Sequence, residues 1–223
     1  MQIINLHKPA GPTSHDMVDL VRRALKEQPA AFGKTFDEPK VGHAGTLDPF
    51  AEGVLLILVG REATRRQKEF MQLPKTYVAT LRLGAMSDTD DPTGNVHKTQ
   101  TYTKHKPDTE EMEKVLSEFI GDIEQVPPIY SAIKLKGKKA YELARKGEVP
   151  TLKARTVHIE SIRILDYAWP LLTIEVACGS GTYIRALARD IGERLGCGAY
   201  VEKLVRTRIG SYTIENATRP ESL

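Results

Sequence analysis

The sequence predicts an α+β protein, on three observations. Short apolar or alternating runs at 54–59, 76–83, 155–165 and 171–177 have the length and period of strands. Between and around them, 14–25, 108–120 and 182–195 carry apolar residues at helical spacing. No internal repeat, low-complexity tract or linker interrupts the 223 residues, so a single domain, 1–223, is the simplest organisation.

The elements follow in order. Ile3-Ile4-Asn5-Leu6 reads as a strand and Lys8-Pro9-Ala10-Gly11-Pro12 as a turn. Thr13 or Ser14 then caps a helix with Met17, Leu20, Val21, Ala24 and Leu25 on one face, His15 and Asp16 being helix-start residues rather than ligands. Residues 27–40 read as a polar surface loop. A basic helix follows over 60–70, ended by Pro74, and then a strand with Tyr77, Ala79, Leu81 and Leu83 on one face. Residues 84–94 form an acidic loop and 96–103 a further strand. Asp108 opens a helix that buries Met112, Val115, Leu116, Phe119 and Ile120. From Gln125 the chain is an extended basic ribbon, followed by a short helix over 140–146 and the strand pair at 155–165 and 171–177. The helix from Thr182 to Leu195 buries Ile184, Leu187, Ala188, Ile191 and Leu195, with Gly196 as its C-terminal stop. One more apolar segment begins at Tyr200.

Composition is that of an ordinary globular protein, 40% hydrophobic and 27% charged. No apolar run is long enough to span a bilayer and no signal-peptide pattern opens the chain, so the expected location is cytoplasmic, with no membrane partner. Cys178 and Cys197 make neither a disulfide framework nor a metal set and read as buried thiols. The net charge is only +3, yet basic residues gather at Arg61, Arg65, Arg66 and Lys68, at Lys134, Lys136, Lys138 and Lys139, and at Arg185, Arg189, Arg194, Lys203, Arg206 and Arg208. Acids gather elsewhere, at Asp88, Asp90 and Asp91 and at Asp108, Glu110, Glu111 and Glu113. Clustered Lys and Arg suit a polyanion, although a solvated surface explains any one cluster as well.

The segment Gly42-His43-Ala44-Gly45-Thr46-Leu47-Asp48-Pro49-Phe50-Ala51-Glu52-Gly53 holds three glycines and a proline, which forbid regular structure, and is fastened to the apolar run at 54–59. Taken alone, it fits a catalytic carboxylate and an ordinary Asp-Pro turn equally well. Other chemistries lack their residues. There is no G-x-x-x-x-G-K-[ST] loop, no G-x-S-x-G elbow and no paired histidines at i, i+4, and Gly179-Ser180-Gly181 is only the start of a dinucleotide pattern. What remains is a loop carboxylate, a tyrosine at a strand start and arginines at a helix start, with no cofactor, metal or nucleotide required.

Five blocks carry a resemblance: Gly42 to Pro49, Lys75-Thr76-Tyr77, Leu83-Gly84 with Asp88-Thr89-Asp90, Gln125 to Lys134, and Gly181-Thr182-Tyr183-Ile184-Arg185. In this order, over about residues 5–212, the sequence resembles the TruB family of tRNA pseudouridine synthases. The resemblance implies the pseudouridine synthase fold, a central, mostly antiparallel mixed sheet flanked by helices and loops. It implies isomerisation of uridine to pseudouridine at position 55 in the T-arm loop of tRNA, with the nucleotide flipped out, by an enzyme expected to act as a monomer. By the same resemblance Asp48 is the nucleophile, Arg185 its ionic partner, and Tyr77 a residue that stacks on the base and serves in proton transfer. Tyr183 and Leu204 would line the uracil pocket, and His43 would fill the space left in the RNA loop. In each case an ordinary core or turn role competes. Three features depart from the family pattern: Glu52 stands where a small or hydroxyl residue is usual, the loop 27–40 is long, and the PUA-type RNA-binding domain common in bacterial members is not expected in this chain.

Overall fold

The apolar run at 54–59 is continuous because both of its faces are covered. In a computed structural model, which describes residues 2–28, 40–100, 106–131, 133–135, 137–144, 148 and 151–223, it is the body of a strand spanning Glu52–Val59. Contacts gather the chain into two units, Met1–Val78 with Leu204–Leu223, and Ala79–Lys203.

In the first unit, β1 (Gln2–Lys8) leads into α1 (Ser14–Glu27), followed by β2 (Val41–Ala44), β3 (Glu52–Val59), α2 (Gly60–Arg65), α3 (Gln67–Gln72) and the start of β4 (Lys75–Leu83). β1 runs antiparallel to β3, from Gln2 against Val59 to Lys8 against Gly53. β2 pairs antiparallel with the later half of β3. Leu55, Ile57 and Val59 on one face of β3 pack with Met17, Val18, Val21 and Leu25 of α1. Val54, Leu56 and Leu58 on the other pack with Ala63 and Phe70 of α2 and α3. A strand buried on both faces loses the polar alternation of a half-exposed one. The helix expected over 60–70 is two short helices that meet at Arg66. Thr13 caps α1 in a capping box with Asp16, as the sequence indicates.

The second unit takes β4 from Ala79 onward. It continues through β5 (Ala85–Ser87), β6 (Val96–Lys98), α4 (Thr109–Ser117), β7 (Gly121–Gln125), β8 (Lys134–Leu135), β9 (Lys138–Lys139), α5 (Ala140–Ala144), β10 (Arg155–Ala168), β11 (Leu171–Cys178), α6 (Ile184–Arg194) and β12 (Ala199–Ile209) as far as Lys203. Its sheet runs β4-β11-β10-β7, with β10 antiparallel to both neighbours. The acidic loop contains a strand, β5, paired with β6. α4 stops at Ser117, which leaves Ile120 exposed rather than buried. The remainder of β12 returns to the first unit, where Val205 and Arg206 pair parallel with Glu52 and Gly53, before β13 (Tyr212–Thr213) and a final 3-10 turn at Pro220–Ser222. The sheet is therefore mixed and mostly antiparallel, as expected. Most of the expected loop 27–40, the end of the strand 96–103, Lys136 and the end of the helix 140–146 lie outside the described residues.

Candidate active site

The first unit builds a cradle around the segment 45–53. Asp48, half-buried, begins a turn in which its carbonyl accepts the Ala51 N–H at 3.1 Å, with Pro49 at the second position. The Asp-Pro turn is therefore real, and the carboxylate rides on it. Neighbouring elements fix the turn's backbone. Ser14 Oγ, at the first position of α1, accepts the Leu47 N–H and donates to the Leu47 carbonyl, both at 2.9 Å. The Pro49 carbonyl accepts the Gly11 N–H at 2.7 Å and Lys8 Nζ at 3.2 Å.

Two buried cations do most of the holding. Lys8 is fully buried at the end of β1 and also donates to the carbonyls of Pro9 and Pro12, at 2.8 Å each. Burial lowers its pKa to about 8, opposed by the negative charge of nearby Asp48. Arg206, 1% exposed, donates from Nε to Val54 O at 2.7 Å, from Nη1 to Thr46 O at 3.3 Å and from Nη2 to Gly45 O at 3.1 Å. The strand must come close for this. Gly53 has φ +113°, and a Cβ there would lie 2.2 Å from the Arg206 carbonyl oxygen, so only glycine fits.

Arg206 was grouped with the surface basic residues on sequence, and that grouping fails for three of its six members. Arg206 and Arg185 are buried, and Arg189 is paired with Asp90 and Asp190. Each of the three donates to carbonyls or pairs with carboxylates of this chain. Lys8, Ser14 and Arg206 were missed as holders of the loop. A signal existed for Lys8, because Ile4 and Leu6 face inward and a two-residue period puts Lys8 on the same side. Burial makes these residues structural, whereas Asp48 is half-buried on the turn they hold.

His43, on β2, accepts Gln67 Nε2 on its carbonyl at 2.6 Å, and burial first, then the charge of Arg206, lowers its imidazole pKa. Tyr77 is buried on β4, where the preceding Thr76 carbonyl accepts Thr207 Oγ1 at 3.2 Å. Leu204 is buried on the face of β12 that carries Arg206. These residues and Asp48 belong to the first unit. Around the basic end of α2, Lys40, Arg61, Thr64 and Arg65 line an open depression of about 250 Å³.

Tyr183 and Arg185 belong to the second unit. Arg185, in the first turn of α6, is 4% exposed, not a solvated helix-start arginine. Nη1 lies 3.4 Å from Asp91 Oδ2 and donates to Thr89 O at 3.0 Å, while Nη2 donates to Tyr130 O at 2.9 Å. The acidic loop is thus turned inward at Asp91. Asp91 Oδ1 accepts the hydroxyls of Thr89 and Thr93 and the Thr93 N–H. One turn along α6, Arg189 pairs with Asp90 at 3.1 Å, a residue with φ +59° whose pKa burial raises to about 6. Asp90 and Asp91 escaped sequence reasoning because an acidic loop ordinarily faces water. Among the described residues no cluster of three His, Cys, Asp or Glu could hold a metal ion, and no helix is long and apolar enough to cross a membrane.

Comparison with known proteins bears out the expected family and fold. The model of the N-terminal domain of TruB family pseudouridylate synthases matches residues 33–184, and that of the C-terminal domain of tRNA pseudouridylate synthase B matches residues 185–223. Proteins named tRNA pseudouridine synthase B from Parabacteroides distasonis and Bacteroides thetaiotaomicron are each 44% identical, over 100% and 99% of this chain and 91% and 90% of their own. Among solved structures, a Cbf5-Nop10-Gar1 complex aligns with a TM-score of 0.71 and 30% identity, over 97% of this chain and 51% of that one, so this chain spans about half its length. The chain belongs to the TruB family of pseudouridylate synthases, enzymes that isomerise uridine in RNA.

Proposed function

We propose that this protein converts uridine to pseudouridine at position 55 in the T-arm loop of tRNA, with Asp48 as the catalytic carboxylate. In the reaction the N1–C1′ bond of the nucleotide breaks, a C5–C1′ bond forms, the C5 proton leaves and N1 takes up a proton. The observation that carries the reading is the way the loop is held: Ser14, Lys8, Gly11 and Arg206 fix its backbone from neighbouring elements, so that Asp48 rides on a turn of set geometry, which a catalytic carboxylate requires. A carboxylate is ionised at neutral pH and needs no base to activate it.

Arg185 supports Asp48 as its cationic partner, Tyr77 stacks on the base and moves a proton, and Tyr183 and Leu204 wall the uracil pocket. His43 occupies the space vacated in the RNA loop. Extruding a nucleotide costs a few kcal/mol, and stacking on an aromatic side chain returns roughly 1–3 kcal/mol per base, so Tyr77 and His43 are of the right size to offset it. Exposed Arg61, Arg65, Arg66 and Lys68 supply phosphate contacts on the tRNA. The names of the relatives, which specify tRNA, support this substrate.

The test is release of tritium from tRNA transcripts labelled at uracil C5, with a second substrate in which position 55 is cytidine. The wild type should release label only from the first. No release from either rejects the activity, and equal release from both rejects the position.

A further inference from the structure

Tyr183 sits at an otherwise uncapped helix start. It is the N-cap residue of α6, with an extended backbone and no side-chain capping bond, and it follows Gly181, whose φ is +91°. Such a turn has freedom to lose. Two residues that face each other across neighbouring strands remove it. Arg155 and Gln125 are direct partners at the end of the β10–β7 ladder.

Gln125 is fully buried, and its amide closes a two-bond ring on the Tyr183 backbone: Oε1 accepts the N–H at 2.8 Å and Nε2 donates to the carbonyl at 3.1 Å. That carbonyl also accepts the Leu187 N–H at 3.0 Å, the first bond of the helix. Arg155 takes the ring. Its guanidinium carbon lies 4.8 Å from the Tyr183 ring centroid, and Nη2 donates to Gly181 O at 2.7 Å. Its Nε is buried without a hydrogen-bond partner among the described residues. The guanidinium therefore lies along the tyrosine face at the expense of a hydrogen bond, which marks the ring contact as the one that sets its pose.

We propose that Gln125 and Arg155 are a cross-strand pair of positioning residues: Gln125 fixes the Tyr183 backbone and Arg155 fixes the orientation of its ring. This rests on the reading of Tyr183 as a wall of the uracil pocket. A ring misplaced by about 1 Å is worth up to 10²-fold in rate. Arg155→Met should accordingly lower kcat for tritium release by about 10- to 100-fold, with RNA affinity within about 3-fold. Arg155→Lys should recover it only in part, because an ammonium can donate to Gly181 but has no planar face to lay on the ring.

The deciding experiment is a double-mutant cycle with Tyr183→Leu. If Arg155 acts through the tyrosine, Arg155→Met causes no further loss of kcat in that background, whereas independent, multiplying losses overturn the proposal. A variant with unchanged kcat, weakened binding and a salt slope shallower by about one would make Arg155 a phosphate ligand and also overturn it. Hydrogen exchange at the Tyr183 amide reads Gln125 whatever the catalysis. Gln125→Met should speed it relative to the other amides of α6, and an unchanged rate rejects the clamp. A wild type without turnover would reject the proposed function and leave this exchange measurement standing.

Discussion

Two irregular loops, 45–51 in the first unit and 88–94 in the second, are fixed by opposite chemistry. The first is held by cations that donate to backbone carbonyls: Lys8 to Pro49, and Arg206 to Gly45 and Thr46. The second is held by a carboxylate that accepts: Asp91 gathers the Thr93 N–H, the hydroxyls of Thr89 and Thr93, and Arg185. In the first loop neighbouring cations satisfy the backbone around Asp48; in the second the aspartate is itself the hub. Two aspartates of one sequence thus differ according to which group holds the backbone around them.

The largest effect that would sharpen this contrast is on turnover. Asp48→Asn should reduce tritium release by at least about 10³-fold and leave the melting temperature nearly unchanged, because Lys8, Ser14, Gly11 and Arg206 hold the backbone of the loop. Asp91→Asn should do the reverse in stability: removing one partner of a buried pair costs about 3–5 kcal/mol, seen as a lower denaturation midpoint. Comparable stability losses for the two would erase the distinction.

Next in size is the cradle itself. Arg206→Met leaves the carbonyls of Gly45, Thr46 and Val54 without their donor, and an unsatisfied buried acceptor costs about 1–3 kcal/mol. Calorimetry should show a fall in Tm of several degrees, and Gly53→Ala, which pushes β3 off β12, should fall with it. A melting curve unmoved by Arg206→Met would rule out the carbonyl clamp.

Lys8 gives a smaller, pH-dependent signature. With its folded pKa near 8 and an ordinary value of 10.5, the native state gives up a proton over this interval that the unfolded chain retains. The contribution of Lys8 to stability therefore rises with pH from about 8 to 10.5, and the gap between wild type and Lys8→Met in chemical denaturation should widen across that window. A gap that stays flat would mean that the ammonium is not desolvated. Smallest of all is Arg65→Ala on the exposed end of α2, which should weaken tRNA binding a few-fold and reduce the salt slope by about one, with kcat at saturation unchanged.

Much of this was readable in order along the chain. The capping box at Thr13 and Asp16, the strand faces of β4 and the amphipathic face of α6 are local patterns, and they stand where the periods put them. The candidacy of Asp48 as a site residue was legible only jointly with blocks about 30 to 140 residues away, because an Asp-Pro turn looks the same with or without a reacting partner. Glu52, which broke the family pattern, begins β3 and pairs with Val205. The structure gives no account of why an acid stands there.

The sequence by itself determined the α+β class and the family, and it proposed the candidates Asp48, Tyr77, Tyr183, Arg185, Leu204 and His43. These rest on local periodicity and on residue types at fixed order, which a linear string records. Tertiary structure alone decided which charges are enclosed by the fold and which are exposed. Lys8, Asp91 and Arg206 carry the same formal charges as their exposed neighbours, but each is buried and hydrogen-bonded within the chain. Whether a charge is free to meet an RNA depends on that enclosure, and enclosure is a property of three dimensions.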